Sequence, residues 1–556
     1  MHCRVWSNAM SLFERIIRDG RGRTGKYRFE DTGDTDVMTP AIINPEEMFP
    51  DLYQHPFAHT PPEFPDNIRW PKPVQYEGVL NAFVGAMPDG TDASAVIVPG
   101  CHTLFENPRR FTELLIDLKE RFPMDTAWYA PASAVPSNVS LLIYCGFDLF
   151  DYRAVDLMTV RGLFCTSDGE YSYDEVRDSG ICTCAGCRNG DLKLHNRIAL
   201  DTEIASACWF IRSRVFREFI EKRVRNAAWQ VSVMRLLDAA PAYSEPVTPI
   251  VRATPFSANS ADSLKRTEVR RFVDRVIDRF IPTRTDTVVL LPCSARKPYS
   301  LSQSHRKFMF AIQNRAHELI LTSPMGIVPR ELEAIYPAGH YDIPVTGYWD
   351  REEREFISAS LARYFEKHQF GRIIAHLDEK TRILAEDAAH RAGMEIESTC
   401  RDDRPTSPES LRCLEECLKG NRKIGPDVIR GTLSWQFDAD VDTSGLILKG
   451  RRGRRKVMRK RTQLFSIDES TGLMRPTMEG WSLIGDRYHV HIDDFIPQGD
   501  VLAPGVIDAD PAIRENDEVF VIGPRVQATG KAVMGAKEML HSTRGVAVKL
   551  RKVKKG

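Results

Sequence analysis

From Phe13 to about Asp238, short apolar runs alternate with amphipathic stretches. Ala95-Val-Ile-Val-Pro99 has the continuous apolar character of a buried strand, and Arg110–Glu120 spaces its apolar residues as a helix does. This strand–helix rhythm predicts a single TIM-type (β/α) barrel over residues 1–240. A stretch rich in Pro, Ser and Ala, 239–263, predicts a linker. Beyond it, helix-like Leu264–Phe280 precedes the buried-strand run Thr287–Pro292. Further strands are expected at Leu319–Thr322 and Arg372–His376, with a helix at Glu352–Lys367 between them. These elements predict a compact α/β domain over 264–405. Residues 406–485 read as a small α+β connecting domain. Residues 486–556 read as a small β-barrel, with Gly505, Gly523, Gly530 and Gly545 at its turns. The fold class is multidomain α/β.

Composition supports this division. A chain of 556 residues is too long for one core, and 42% hydrophobic residues suffice for several. No apolar run reaches the ~18 residues of a membrane span. Met1 to Met10 lacks the apolar core of a signal peptide, and pattern begins only at Phe13, so either Met1 or Met10 serves as the start. Twelve cysteines in such a chain do not resemble a secreted disulfide framework, and a cytoplasmic location is expected. The 76 basic residues balance the 76 acidic ones, but not locally. Lys449–Arg461 holds nine basic residues in thirteen. A run this dense suits phosphate binding, and Arg451, Arg452, Arg454, Arg455 and Lys456 are candidate RNA contacts. Lys531, Lys537, Arg544, Lys549 and Arg551 near the basic tail are further candidates.

Two clusters carry chemistry. Cys182, Cys184 and Cys187 form a CxCxxC turn, followed by His195 at the opening of a helix-like segment. Three thiolates and an imidazole suit tetrahedral zinc, and four protein ligands would close the site, so the zinc is expected to be structural. The second cluster is Pro292-Cys293-Ser294-Ala-Arg-Lys297-Pro298-Tyr299-Ser300-Leu-Ser302-Gln-Ser304-His305, directly after a buried strand. Ligands bind at such strand ends. Lys297 or a protonated His305 would lower the Cys293 pKa, and hydroxyls with Lys297 could stabilise negative charge. The plain alternative is a polar loop whose serines cap the next helix. Two further stretches, Ser323–Glu331 and Pro344–Asp350, are candidates to line the pocket, though Asp350 equally suits a helix cap. Gly20-x4-Gly25-Lys26 imitates a Walker A loop, but Tyr27 replaces the magnesium-binding hydroxyl and no apolar strand precedes it. A hairpin is expected there.

The cysteine turn with Leu194-His195-Asn196, the Arg18-Asp19-Gly20-Arg-Gly-Arg-Thr-Gly25-Lys26 stretch with Thr39-Pro40-Ala41, and Phe147–Asp151 together resemble archaeal tRNA-guanine transglycosylases. Those are zinc-bearing TIM barrels with C-terminal RNA-binding domains, and they use two aspartates. Asp151 matches the nucleophile's place, while no Asp-Ser-Gly-Gly-like stretch for the second lies between Thr39 and Gly100. The resemblance therefore implies a degenerate barrel with Asp151 vestigial or structural. The spacing P-C-S-x-x-K-P-Y-x-x-S-x-S-H resembles the signature of archaeosine synthases, over almost the whole chain. Leu502-Ala-Pro-Gly-Val506, Asp517–Ile522, Ala528–Ala532 and Arg544–Lys549 resemble a PUA domain, here expected over 486–556.

The archaeosine synthase resemblance implies an enzyme acting on tRNA that carries 7-cyano-7-deazaguanine at nucleotide 15, in the D-arm. An amine donor, described in the family as glutamine, asparagine, ammonium or lysine, adds across the nitrile, in some members with a radical-SAM partner. Cys293, Ser294, Lys297, Ser302, Ser304 and His305 would then form the catalytic cluster. The sequence itself does not reveal an oligomeric state; related barrels pair through the zinc region, which makes a homodimer one option. The alternatives are an active transglycosylase, or a non-catalytic tRNA-binding scaffold.

Overall fold

A computed structural model describes residues 13–28, 36–48, 79–81, 95–252, 254–343, 348–451 and 453–555. Two compact units form: one from 1–249, 497–515 and 532–549, the other from 250–496, 516–531 and 550–556. The change at 249–250 falls inside the Pro/Ser/Ala-rich stretch.

The first unit opens with an antiparallel meander of β1 (Phe13–Asp19), β2 (Gly22–Arg28) and β3 (Asp36–Thr39). The Walker-like residues thus form a hairpin, and Gly20 takes the positive φ of 62° that its turn requires. Behind it lies a parallel sheet of β4 (Ala41–Ile42), β5 (Val79–Asn81), β6 (Ala95–Ile97), β7 (Ala127–Tyr129) and β8 (Leu149–Phe150). Its order is β4-β8-β7-β6-β5. The last strand pairs with the first, as in a barrel, which leaves β4 and β5 as the edges among the described residues. The described residues thus form a near-closed parallel sheet, with five strands of the degenerate barrel expected over 1–240. After β8 the chain turns into helices and the hairpin β9 (Leu163–Thr166) and β10 (Gly169–Ser172), and makes no further parallel strand in this sheet.

Helix Pro108–Arg121 shows why these segments pack as they do. Asn107 caps it, accepting from the Arg110 amide at 3.2 Å, Pro108 suits the first turn, and Phe111, Leu115 and Leu118 are buried. Arg23 ties the hairpin to the sheet. Its guanidinium grips the fully buried Asp148 with bonds of 2.9 and 2.7 Å, and Asp148 also accepts from the Trp128 amide.

The core of the second unit is a five-stranded sheet. Its strands are β12 (Thr287–Pro292), β13 (His317–Thr322), β14 (Gly326–Pro329), β16 (Arg372–Ala375) and β17 (Ile396–Ser398). A short parallel pair, β11 (Phe256–Ser257) and β15 (Tyr341–Asp342), lies outside it. The order is β14-β13-β12-β16-β17, all parallel except β14. Val288–Leu291 are fully buried, as a strand covered on both faces must be. Helices Thr267–Asp278, Gln303–Ile312, Arg351–His368 and Glu379–Arg391 contribute apolar faces to the same core. The basic run lies in a separate antiparallel sheet, of β18 (Leu446–Lys449), β19 (Lys456–Arg459), β20 (Thr462–Ile467) and β21 (Met474–Pro476). It forms the turn between β18 and β19 and the strand that follows.

Removing Asp148 would leave the Arg23 guanidinium buried without its partner. Asp148→Ala is therefore expected to cost about 3–5 kcal/mol, measured by denaturant unfolding of the full chain. A loss below 1 kcal/mol would show that the pair carries little of this unit's stability.

Candidate active site and metal centre

Strands β12 and β16 are neighbours, but the chain leaves β12 toward β13 on one side and β16 toward β17 on the other. Loops that diverge in this way open a crevice beyond the C-terminal ends of the two strands. A cavity of about 790 Å³ lies there. It is lined by Cys293, Ser294 and Lys297 after β12, by Thr322 and Ser323 at the end of β13, and by Asp378 after β16. Ile343, Tyr348 and Trp349 supply an apolar wall.

Cys293 follows the last residue of β12 and is exposed within this cavity. Surrounding protein crowds the thiol, and desolvation pushes its pKa above the ordinary thiol value. A hydrogen bond with Thr322 and the positive charge of Lys297 oppose that push without overcoming it. The expected lowering of the thiol pKa is thus not met, because burial outweighs the neighbouring cation. The Lys297 amine sits 3.9 Å from the centre of the Tyr341 ring. Its own pKa is lowered by burial, with Cys293 and Asp342 acting in the opposite sense. The Ser294 hydroxyl turns back to donate to the Arg296 carbonyl at 3.0 Å.

The other three residues of the motif stand behind the cavity rather than in it. His305 is fully buried, with Nε2 3.0 Å from the Pro292 carbonyl and Nδ1 2.9 Å from an Arg330 nitrogen. A guanidinium can only donate, so Nδ1 accepts and Nε2 carries the proton. Burial, aided by Arg330, takes the His305 pKa down to about 3. The protonated His305 expected beside the thiol is therefore a neutral imidazole that braces the strand end carrying Cys293. Arg330 is itself held by Glu318 at 2.7 Å and Glu333 at 2.8 Å. Ser302 caps helix Gln303–Ile312, accepting from the His305 amide at 3.2 Å, and the Ser304 hydroxyl lies 3.2 Å from that of Ser302. This is the helix-cap alternative noted for the loop's serines.

Several residues at the cavity stood outside the motif. Thr322 and Tyr341 hydroxyls lie 2.9 Å apart, and Tyr299 joins them at 3.0 Å from Tyr341. Glu353 accepts from Ser323 at 2.5 Å and closes a capping box with Asp350, so Asp350 is a helix cap as well as a wall residue. Pro344–Gly347 lie outside the described residues. Asp378 caps helix Glu379–Arg391. An Asp just after a buried strand and before a helical run was the available signal for it. His376, also fully buried, holds Thr399 at 2.9 Å and the Pro405 carbonyl at 2.7 Å, and burial lowers its pKa to about 4.

In the first unit, ligand atoms of Cys182, Cys184, Cys187 and His195 all lie within 4.8 Å of one another. The Cys184 and Cys187 sulfurs are 3.7 Å apart, and His195 Nδ1 is 3.4 and 3.3 Å from them. Zinc–sulfur bonds of about 2.3 Å place tetrahedral sulfurs about 3.8 Å apart, so the set fits such an ion. His195 Nε2 faces the Cys165 carbonyl at 3.0 Å and its ring stacks on Phe164, which leaves Nδ1 for the metal. Gly186 lets the turn close: a Cβ there would stand 2.7 Å from the His195 Cα. Asp151 is buried beyond this centre. Its carboxylate accepts from the Tyr129 hydroxyl at 2.6 Å and from the amides of Ala132 and Arg153 at 3.0 and 2.8 Å. Those bonds suit the structural role expected of it.

The basic candidates divide. Arg451, Arg454, Lys456, Lys537 and Lys549 are exposed, and Arg452 lies outside the described residues. Arg455 instead grips Glu469 at 2.8 and 3.0 Å, and Arg551 grips Glu518 at 2.7 Å. These two are bound to carboxylates and hold their own strands together. Lys531 and Arg544 are half-buried.

Comparison with known proteins follows these landmarks. Residues 269–418 match the family described as "Domain of unknown function (DUF5591)", and 490–554 match the PUA domain. The archaeosine synthase subunit alpha of Methanosarcina acetivorans is 36% identical, over 99% of this chain and 92% of the relative. The archaeosine synthase of Haloferax volcanii is 35% identical, over 97% of this chain and 99% of the relative. The chain belongs to the archaeosine synthase family. It is an enzyme of archaeosine synthesis and carries a C-terminal PUA domain. A tRNA-guanine(15) transglycosylase of Methanococcus maripaludis is 22% identical, over 80% of this chain and 68% of the relative. The DUF5591 match spans both strands of the crevice, and so Cys293, Lys297 and Asp378. No helix among the described residues is long and apolar enough to cross a membrane.

Two outcomes follow from this geometry. Cys184→Ser and Gly186→Ala should each abolish stoichiometric metal, read by mass spectrometry of the purified chain; full metal content in both would exclude this site. His305 and His376 are neutral when folded, with pKa values near 3 and 4, and titrate near ~6.5 when unfolded. Above that pH neither state is charged, so they contribute nothing. As pH falls below it the unfolded chain alone gains protons, and stability is lost. The melting temperature should drop between pH 7 and 5, and an unchanged value would mean that these imidazoles charge within the fold.

Proposed function

We propose that this enzyme acts on 7-cyano-7-deazaguanine already installed at nucleotide 15 of tRNA and adds an amine across its nitrile. The observation that carries this reading is the shared cavity of Cys293 and Lys297, at the end of the central strand β12. Its volume, about 790 Å³, lies within the roughly 300–1,000 Å³ of small-molecule sites and would admit a base swung out of the RNA. The Cys293 thiol gives its proton to the Lys297 amine, whose lowered pKa makes the neutral base accessible. Sulfur then bonds to the nitrile carbon, and the nitrile nitrogen takes up a proton to give a thioimidate. The donor amine bonds to the same carbon, the carbon–sulfur bond breaks, and the thiol recovers its proton. The net change is addition of N–H across the nitrile, which yields an amidine with nothing lost from the base.

Ser302, Ser304 and His305 position this pair without touching substrate. The Cys182/Cys184/Cys187/His195 centre is read as structural zinc, since all four tetrahedral positions are taken by protein. The exposed Arg451, Arg454 and Lys456 at the β18–β19 hairpin, with Lys537 and Lys549, are read as tRNA phosphate contacts. The relative from Methanosarcina acetivorans is named as a subunit alpha, which supports a second subunit acting with this chain; the radical-SAM partner implied by the family resemblance is read as that subunit.

Incubation of 7-cyano-7-deazaguanine tRNA with glutamine, ammonium or lysine, followed by nucleoside mass spectrometry, tests the reading and identifies the donor. Cys293→Ala should lower turnover by more than about 10³-fold and abolish any protein–RNA thioimidate. Full activity in this variant would rule out covalent catalysis. Lys297→Gln should cost about 10²–10⁴-fold. Because the thiol pKa is raised, the wild-type rate should climb from neutral into alkaline pH. A plateau beginning below the ordinary thiol pKa would contradict the assigned thiol.

A further inference from the structure

The first unit holds a second cavity, of about 80 Å³, that the proposed reaction does not use. Its lining includes Arg18, Arg21 and Arg23 of the N-terminal hairpin, with Lys119, Tyr243 and Lys537. On the scale of about 10–15 Å³ per water-sized probe, it has room for several waters or one small polyatomic ion. The cations differ in how they are matched. Arg23 is paired with Asp148 at 2.7 Å, and Arg18 with Glu538 at 3.5 Å.

Arg21 has no carboxylate partner among the described residues. It is only 5% exposed, and one nitrogen donates to the Leu237 carbonyl at 2.7 Å and to the Ser244 hydroxyl. Its Nε and Nη1 have no hydrogen-bond partner among the described residues. The rings of Tyr144 and Tyr243 flank its guanidinium at 5.2 and 5.4 Å. Among the described residues Lys119 makes no ion pair, although Asp148 acts on it electrostatically; it donates to the Gly146 carbonyl at 2.7 Å and stands 3.8 Å from the centre of the Trp128 ring. Burial, reinforced by Arg23, pulls the Lys119 pKa well down.

A buried guanidinium with two free N–H groups is costly unless an acceptor meets it. We propose that this cavity is a binding site for a phosphate-class oxyanion, gripped by Arg21 and Lys119 and entered past Lys537. Donors converge from the hairpin turn, from helix Pro108–Arg121 and from helix Ala536–His541. A tetrahedral oxyanion offers acceptors in all those directions, whereas a planar carboxylate matches a single guanidinium edge. The oxyanion is a backbone phosphate of RNA or free inorganic phosphate, and exposed Lys537 leaves the entrance open to either.

The test does not depend on the nitrile chemistry. The melting temperature of the full chain is followed against inorganic phosphate, with chloride at equal ionic strength as control. Phosphate should raise it specifically, Arg21→Gln should abolish that rise, and Lys537→Gln should weaken the apparent affinity several-fold. In parallel, tRNA binding is measured over a range of salt. If phosphate competes with tRNA and Lys537→Gln reduces the salt slope by about 1, the occupant is an RNA phosphate. If the phosphate shift persists while tRNA affinity is unaffected, the occupant is the free ion. The site is overturned if phosphate acts no differently from chloride in both assays, whatever Lys537→Gln does to tRNA affinity, since that exposed lysine is also read as a surface tRNA contact. Should Arg21→Gln fail to fold, the surface variant Lys537→Gln decides.

Discussion

His305 has both ring nitrogens committed inside the protein, and the loop that carries Cys293 and Lys297 depends on it. One nitrogen donates to the Pro292 carbonyl and the other accepts from Arg330. That pairing fixes the last residue of β12, and so the point from which Cys293 projects. It works only while the imidazole is neutral, because a proton on Nδ1 would set two donors against each other. Arg330 is in turn pinned by Glu318 and Glu333, and Glu333 accepts from the Ser300 amide of the same loop. A buried ion network of this kind adds little net stability, but it defines one geometry. The cavity needs that geometry, since Cys293 and Lys297 lie on an irregular loop.

The two units handle buried charge differently. In the crevice, burial raises the Cys293 thiol and lowers the Lys297 ammonium, which brings a weak acid and a weak base closer in strength. In the first unit, arginines of the N-terminal hairpin are bound to carboxylates drawn from distant parts of the chain. Arg15 meets Glu515 and Glu538, and Arg23 meets Asp148. The metal centre is more local, since its four ligands fall within fourteen residues and its turn closes around Gly186.

How much was legible in the chain follows from these distances. Cys182, Cys184, Cys187 and His195 were readable because ligand spacing along one turn is nearly a three-dimensional statement. The strand Thr287–Pro292 was readable because burial on both faces leaves a continuous apolar run. The roles of Ser302, Ser304 and His305 were not. A polar residue near a thiol in sequence can face the cavity or the core, and only packing against Arg330 and Pro292 decides which. Arg455 and Arg551 show the same limit, since a basic run does not reveal which members meet Glu469 and Glu518.

The sequence by itself determined most element types, the Cys/His cluster that could hold a metal, the thiol at the end of a buried strand and the chain's family resemblance. Each rests on local spacing or on a motif written in order. The tertiary structure alone decided that the parallel sheet of the first unit is joined last strand to first, and that the crevice lies between β12 and β16, where Thr322, Tyr341 and Asp378 converge. It also set the direction in which the Cys293 and Lys297 pKa values move, and it holds His305 as a neutral imidazole. Those shifts follow mainly from desolvation, and in part from partners such as Thr322, Asp342 and Arg330, which the order of residues does not encode locally.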